Sequence, residues 1–245
     1  MSRDAEIVDL LQQHGYLSVA QLAEHLEVTA STVRRALDRL QGMDLVQRTH
    51  GGARATSSAD TPYKIKETLH HREKAAIGRA MADRILEGQT VLLDSGSTTL
   101  EVARHLRHSR LTVVTNDLRI GLEIANRPNL HLVFIGGELL PNVYTLWGPT
   151  AVEQLTHLRV DVSIFGADTV SEDGIYNTSS YELEMKQTML EIGREAFFVA
   201  DSSKFGREAL FKVFGFEKFT AGITDSTLDS IRASHFPIPI ITVKA

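Results

Sequence analysis

The chain has 245 residues, 26 Lys and Arg against 31 Asp and Glu, a formal net charge of −5 and no cysteine. This length leaves room for a small module and a second domain with its own core, and the missing thiols exclude disulfides, thiolate metal sites and cysteine nucleophiles. Net acidity argues against a nonspecific nucleic-acid coat, and no leader or apolar run of membrane-spanning length is visible, so a soluble, cytoplasmic protein without membrane contact is expected.

In chain order, Ile7, Leu10 and Leu11 predict an amphipathic helix that stops at Gly15. Ser18 and Gln21 have capping-box spacing, and Leu22, Ala23 and Leu26 then share one helical face. Glu27-Val28 make a turn, and Thr29 caps a second short helix whose Val33, Leu37 and Leu40 face inward. This leaves Ala30, Ser31, Thr32, Arg34, Arg35 and Asp38 outward. Leu45–Arg48 alternates as a strand, and Gly51-Gly52 permit a tight turn in a hairpin carrying Arg48, His50 and Arg54. These parts specify a winged helix-turn-helix, whose recognition helix reads base edges from its first residues. The expected DNA contacts are Ser31, Thr32, Arg34, Arg35, Arg48, His50, Gly51 and Gly52. A lone arginine pair reads more simply as a solvated helix face; turn spacing, paired arginines and basic hairpin in this order favour operator double-stranded DNA. Residues 1–56 carry six cations (Arg3, Arg34, Arg35, Arg39, Arg48, Arg54) against seven acids (Asp4, Glu6, Asp9, Glu24, Glu27, Asp38, Asp44). Five of the six cations fall within 34–54, where only Asp38 and Asp44 oppose them, so the positive charge is local.

Small polar residues between Arg54 and Tyr63 read as a linker. The expected division is a DNA-binding domain over 1–56, a linker and connecting helix over 57–73, and an α/β domain over 74–245. Lys64–Leu86 is expected to be largely one helix, stopped by Gly88. Beyond it, apolar runs at 91–93, 111–114, 130–135, 160–165, 196–200 and 238–243 read as buried strands. Segments 100–106, 118–125, 150–157, 182–192 and 228–234 read as crossover helices. The alternation implies a mostly parallel sheet, with ligands at the carboxyl ends of its strands.

One such end is Asp94-Ser95-Gly96-Ser97-Thr98-Thr99, opening directly into a helix. A glycine and hydroxyl side chains at a helix N-terminus suit an anion, although the loop is neither a Walker A sequence nor a dinucleotide fingerprint, and taken alone a serine/threonine cap explains it equally well. Other strand ends add Asn116, Gly137, Glu138, Asp168 and Lys204, with Asn177 in a loop over 174–180. Together they describe a pocket for a small, polyhydroxylated, phosphorylated molecule: glycines for close approach, carboxylates for hydroxyls, lysine for charge. Glu182 and Lys186, four apart, either form a surface ion pair or contact the ligand. Asp225 is expected to cap, Trp147 to pack, and the scattered histidines form no metal motif. No cofactor or metal is expected.

The chain resembles the DeoR family of bacterial sugar-metabolism repressors along nearly its whole length. The resemblance is carried by Thr32-Val-Arg34-Arg35, Arg48-Thr-His50-Gly51-Gly52-Ala53, Asp94–Thr99, Val114-Thr-Asn116, Gly136-Gly-Glu138-Leu, Gly166-Ala-Asp168 and Ala200-Asp201-Ser-Ser-Lys204-Phe-Gly206. One departure is Ala36, where the family commonly has aspartate. The resemblance implies an effector domain similar to ribose-5-phosphate isomerase and glucosamine-6-phosphate deaminase, a homo-oligomer (dimer or tetramer), and release from DNA by a phosphorylated sugar or polyol. The rival reading is an isomerase fused to a DNA-binding module. The isomerase-like segment would read Asp-Gly-Ala-Asp-Glu, whereas Phe165-Gly-Ala-Asp168-Thr169 stands here. Phenylalanine and threonine cannot shuttle protons at neutral pH, so binding without turnover is expected. An architectural DNA protein would have no use for the hydroxyl-and-glycine loop.

Overall fold

The computed structural model describes residues 3–43, 45–55, 63–141, 143–206 and 209–245, apart from the side chains of 12–13 and 63–65. Two compact units divide the chain, Met1–His71 and Arg72–Ala245. The predicted linker, over 56–62, and Asp44 lie outside the described residues.

The first unit contains α1 (Arg3–His14), β1 (Tyr16–Ser18), α2 (Val19–His25), α3 (Ala30–Gly42), β2 (Val46–Thr49), β3 (Gly52–Ala55) and α4 (Tyr63–Thr68). Its caps form as the spacing requires. The Gln21 amide donates to Ser18 Oγ at 3.2 Å while the Ser18 amide donates to Gln21 Oε1 at 2.9 Å, and Thr29 Oγ1 accepts from the Thr32 amide at 3.3 Å. Ile7, Leu11, Leu22, Val33, Leu37 and Leu40 have no exposed surface and form one core. Ala36 lies in the same core, so the residue after the arginine pair packs inward, where an aspartate would bury a carboxylate. The wing is three-stranded, order β1-β3-β2, because Leu17 pairs with Ala53; β1 is too short to show a period in the sequence. Gly51 turns the hairpin at φ +83°, a left-handed conformation that glycine adopts freely.

The expected single helix over Lys64–Leu86 is a correction. α4 ends at Thr68, His70 has φ +52°, and α5 runs only over His71–Ala82. Leu69 turns into the core of the first unit and His70 Nε2 stands 3.3 Å from Asp9 Oδ1, which pulls the chain off a common helix axis.

The second unit continues with β4 (Thr90–Leu93), α6 (Ser97–His105), β5 (Leu111–Thr115), α7 (Leu118–Ala125), β6 (Leu130–Phe134), β7 (Glu138–Leu139), β8 (Leu146–Trp147) and α8 (Pro149–Thr156). There follow β9 (Val160–Gly166), β10 (Thr169–Ser171), β11 (Gly174–Asn177), α9 (Leu183–Ile192), β12 (Gly193–Val199) and a 3-10 turn (Ser202–Lys204). The chain closes with β13 (Phe211–Phe214), β14 (Ala221–Asp225), α10 (Ser230–Ala233) and β15 (Ile240–Val243). Seven parallel strands form the sheet in the order β15-β14-β12-β9-β4-β5-β6. The last predicted helix, 228–234, shrinks to four residues.

Segment 174–177, expected as loop, is instead β11, the centre of an antiparallel sheet β10-β11-β13. Its buried residues Gly174, Ile175 and Asn177 include one large apolar side chain, which leaves no hydrophobic period to read. Phe165 and Phe198 anchor an aromatic core, with Phe165 edge-on to Phe214 at 4.9 Å and to Phe219 at 5.7 Å.

Candidate functional site

Two sets of residues carry the chemistry, one in each unit. In the first, α3 presents Ser31, Arg34 and Arg35 to solvent, with Thr32 half-buried beside them. Neither Arg34 nor Arg35 forms an ion pair with a described residue; Arg35 Nε makes only a 3.5 Å contact with the Ser31 carbonyl one turn back. The other cations are engaged. Arg39 binds Asp4 of α1 at 2.7 Å, Arg54 Nε donates to Gln47 Oε1 at 2.7 Å, and Arg48 pairs with Asp38. Arg48 therefore ties the wing to α3, while Arg34 and Arg35 remain open to phosphate or guanine. His50 and Gly51 are exposed at the wing tip, and Gly52 is packed beneath Tyr16.

The second set lies at the carboxyl edge of the parallel sheet. From β4 the chain steps through β5 to the edge strand β6, returns to β9 beside β4, then steps outward through β12, β14 and β15. Strand order thus reverses between β4 and β9, the place where open α/β sheets form a ligand crevice. The loop Asp94–Thr99 leaves β4 there, and Gly166–Asp168 leaves β9. Ser95, Gly96 and Ser97 are partly exposed, while Thr98 and Thr99 are buried. Gly96 is the cap residue of α6 at φ +154°, and no side chain caps this helix. α2, α3 and α7 are capped by Ser18, Thr29 and Asp117, whereas α8 and α9, like α6, have no side-chain cap.

Around this loop the polar groups are braced. Thr145 Oγ1 donates to Ser95 Oγ at 2.6 Å, and Ser95 Oγ donates to Asp117 Oδ2 at 2.7 Å. Burial pushes the Asp117 carboxyl up, against the opposing pull of the Ser95 hydroxyl and the Ile120 and Arg119 amides. Asn116 Nδ2 donates to the Leu146 carbonyl at 2.8 Å, whereas its Oδ1, buried, has no protein partner. The Gly166 amide donates to Asp94 Oδ2 at 3.2 Å, and the same carboxylate pairs with Lys186 of α9. Both members of this pair are buried, Asp94 at 1% and Lys186 at 5% exposure. Burial depresses the Lys186 ammonium, but Asp94, Glu182 and Asp168 together hold it above its ordinary value, so it is charged at neutral pH.

The structure therefore brings together Asp94–Thr99, Asn116, Asp168, Glu182 and Lys186. Lys186 is buried and pairs with Asp94, 92 positions away, which neither of its sequence readings anticipated, and Glu182 stands at the start of α9. Glu138 is exposed on the β7–β8 ribbon opposite Trp147, and Gly137 lies against the Trp147 carbonyl so closely that a Cβ would stand 2.3 Å from it. Lys204 sits in the 3-10 turn after β12, on the far side of the β9 strand end from the α6 loop. Asn177, at the end of β11, is buried. Asp225, at the end of β14, accepts from the Ser202 amide at 2.7 Å and the Thr227 amide at 3.0 Å, while the helix that follows, α10, is capped by Asp229 rather than by Asp225. Sequence reasoning missed Thr145, which braces Ser95, and the Trp147–Tyr181 edge-to-face pair at 5.2 Å at the start of α9. It also missed Lys74 of α5, buried 4.0 Å from Asp201, because no motif surrounds it.

Residues 3–59 match the model of the DeoR-like helix-turn-helix domain, and residues 69–226 match that of the DeoR C terminal sensor domain. The chain is 32% identical over 223 residues to the glycerol-3-phosphate regulon repressor of Escherichia coli K12, covering 90% of this chain and 88% of that protein. It is 35% identical over 229 residues to the transcriptional repressor AccR of Agrobacterium fabrum, covering 91% and 89%. Among solved structures it is similar to ribose 5-phosphate isomerase A of Methanocaldococcus jannaschii at 17% identity and a TM-score of 0.39, over 54% of this chain and 53% of that one, too partial an overlap to establish anything shared. With both modules matched in order along the chain, this protein belongs to the DeoR family of DNA-binding transcriptional regulators.

Proposed function

We propose that the protein represses a carbohydrate-metabolism operon and is released from its operator by a phosphorylated sugar or polyol bound at the β4–β9 crevice. The observation that carries this reading is the N-terminus of α6, which opens at the reversal of strand order with a glycine, two flanking serines and no side-chain cap. Backbone amides and the helix dipole there favour a phosphate dianion. Asp168 and Glu182 supply acceptors for ligand hydroxyls, and Lys204 adds positive charge. The name of the Escherichia coli relative supports a phosphorylated polyol as the signal.

The reading is of a sensor without turnover. Phe165, at the position where the isomerase-like segment carries aspartate, has no exposed surface and is locked among aromatic rings. Thr169, at the position of the glutamate, is also buried. Neither side chain exchanges a proton with a substrate near pH 7. The protein acts in the cytoplasm as a homo-oligomer, because two winged helices on successive half-sites need a twofold partner. The effector must bind the DNA-competent and released conformations with different affinity; a coupling of about 1–3 kcal/mol changes operator affinity about five- to 150-fold.

The test is a thermal-shift panel of phosphorylated sugars and polyols, including glycerol 3-phosphate, against the wild type and Ser97→Glu. A selective ligand raises the wild-type Tm, and the added carboxylate abolishes the rise. A rise that survives in Ser97→Glu places the ligand elsewhere. Conversion of the best ligand to product would replace the sensor by an enzyme.

A further inference from the structure

One helix touches both walls of the crevice. α5 begins at His71, where the first unit ends. Gly78 of α5 lies directly on α6: a Cβ there would stand 2.5 Å from the carbonyl carbon of Glu101. Glu101 is one turn along from the Ser97–Thr99 helix start. One turn before Gly78, Lys74 is 2% exposed, and its ammonium stands 4.0 Å from Asp201 Oδ2. The other oxygen of Asp201 accepts from the Ser203 amide at 3.2 Å and from the Ser203 hydroxyl, holding the turn that carries Lys204. The loop that opens α6 leaves β4 and Asp201 follows β12, so these two strand ends fall on opposite sides of the strand reversal, while α6 itself packs on both β4 and β9.

We infer that Lys74 and Gly78 are positioning residues that make α5 the reader of the crevice, converting the approach of its two walls around a phosphate into a displacement of the helix leading to the DNA-binding unit. This rests on the reading of Ser97–Thr99 as the phosphate site. A glycine with no clearance forces α5 to follow α6, since packed backbones shift together rather than deform. A buried ammonium biases α5 to follow Asp201, since drawing a buried charge away from a neighbouring counter-charge is costly. Anchoring alone would not need the charge: Ile77 and Met81 already bury the same helix face, and apolar isosteres often hold as well as a buried pair. The pair differs from them in direction, because it joins α5 to one named turn of the sensor.

Hydrogen exchange on the full chain, with and without inorganic phosphate and in parallel with glycerol 3-phosphate, tests this. In the wild type, ligand slows exchange by about threefold or more both at residues 97–100 and along 72–82. In Lys74→Met the slowing at 97–100 persists while that along 72–82 is lost, and Gly78→Ala acts in the same direction. A merely structural role predicts faster exchange of α5 in both variants with the ligand-induced ratio unchanged, and that result overturns the inference. So does wild-type slowing confined to 97–100. No slowing at 97–100 with either probe overturns the phosphate site itself and the inference with it. Should Lys74→Met fail to fold, Lys74→Met/Asp201→Asn removes both charges and is read in the same way.

Discussion

The helix proposed to face DNA and the crevice proposed to bind the effector use charge in opposite ways. On α3 the two leading arginines are exposed and form no ion pair with a described residue, so their charge is available to a partner at little desolvation cost. In the crevice, Asp94 and Lys186 are buried against each other beside the start of α6, which no side chain caps. An exposed cation contributes on contact with a polyanion. A buried pair instead fixes shape, because either partner alone is costly. The first surface is built to bind, the second to hold a geometry that a small ligand can bias.

The sharpest way to break this contrast is at the buried pair. Asp94→Ala should cost about 3–5 kcal/mol in urea unfolding, since it leaves the Lys186 ammonium without its main counter-charge, and Asp94→Asn/Lys186→Met should recover most of that loss. A loss no larger than that of an exposed pair would show that water reaches the site. Next comes Arg35→Ala: affinity for a duplex selected from a random library should fall by about 1–3 kcal/mol if a base is read, or fall uniformly with a shallower salt slope if a phosphate is held, with unfolding stability unchanged. Equal affinity and equal slope would remove α3 from the interface.

A smaller effect separates burial from capping at Asp117. Its carboxyl is raised by burial, so the folded state holds that proton more tightly than the unfolded state. Its contribution therefore favours folding at low pH and is lost as pH rises through the raised value. Asp117→Asn keeps the oxygen that accepts from the Arg119 and Ile120 amides and cannot ionise. Its stability should rise relative to wild type with increasing pH; a relative fall over that window would mean that the charge itself supports the cap. The smallest effect is expected at Arg48→Ala, whose partly exposed pair with Asp38 should contribute about 1 kcal/mol or less to stability. A DNA-affinity loss there as large as that of Arg35→Ala would make the wing arginine a primary contact.

Legibility followed sequence distance. The helices α2 and α3, their caps and the hairpin were readable because each depends on residues within a few positions, such as Ser18 with Gln21 and Thr29 with Thr32. Six of the seven strands of the large sheet stood out as apolar runs, whereas β14, fully buried but with Ile223 as its one large apolar residue, did not. The break at His70 was not readable, since it comes from Leu69 entering a core built by α1–α3. Nor was β11, which pairs with a three-residue strand, β10, on one side and with β13, more than 30 residues later, on the other. In the crevice, residue types at strand ends named most of the candidates, but not which of them join. Thr145 meets Ser95 across 50 positions, Lys186 meets Asp94 across 92, and Lys74 meets Asp201 across the sheet.

From the sequence alone follow the two modules, their order, the DNA-reading helix and the anion-suited loop, because local periodicity, capping and hydroxyl-glycine composition need no distant partner. The tertiary structure alone decided that strand order reverses beside that loop, that the crevice lysine is committed to Asp94, and that Phe165 fills an aromatic core. The physical reason is that burial and ion pairing are properties of neighbours in space, and the neighbours of a strand end in a parallel sheet are set by the crossovers, whose order one-dimensional periodicity does not encode.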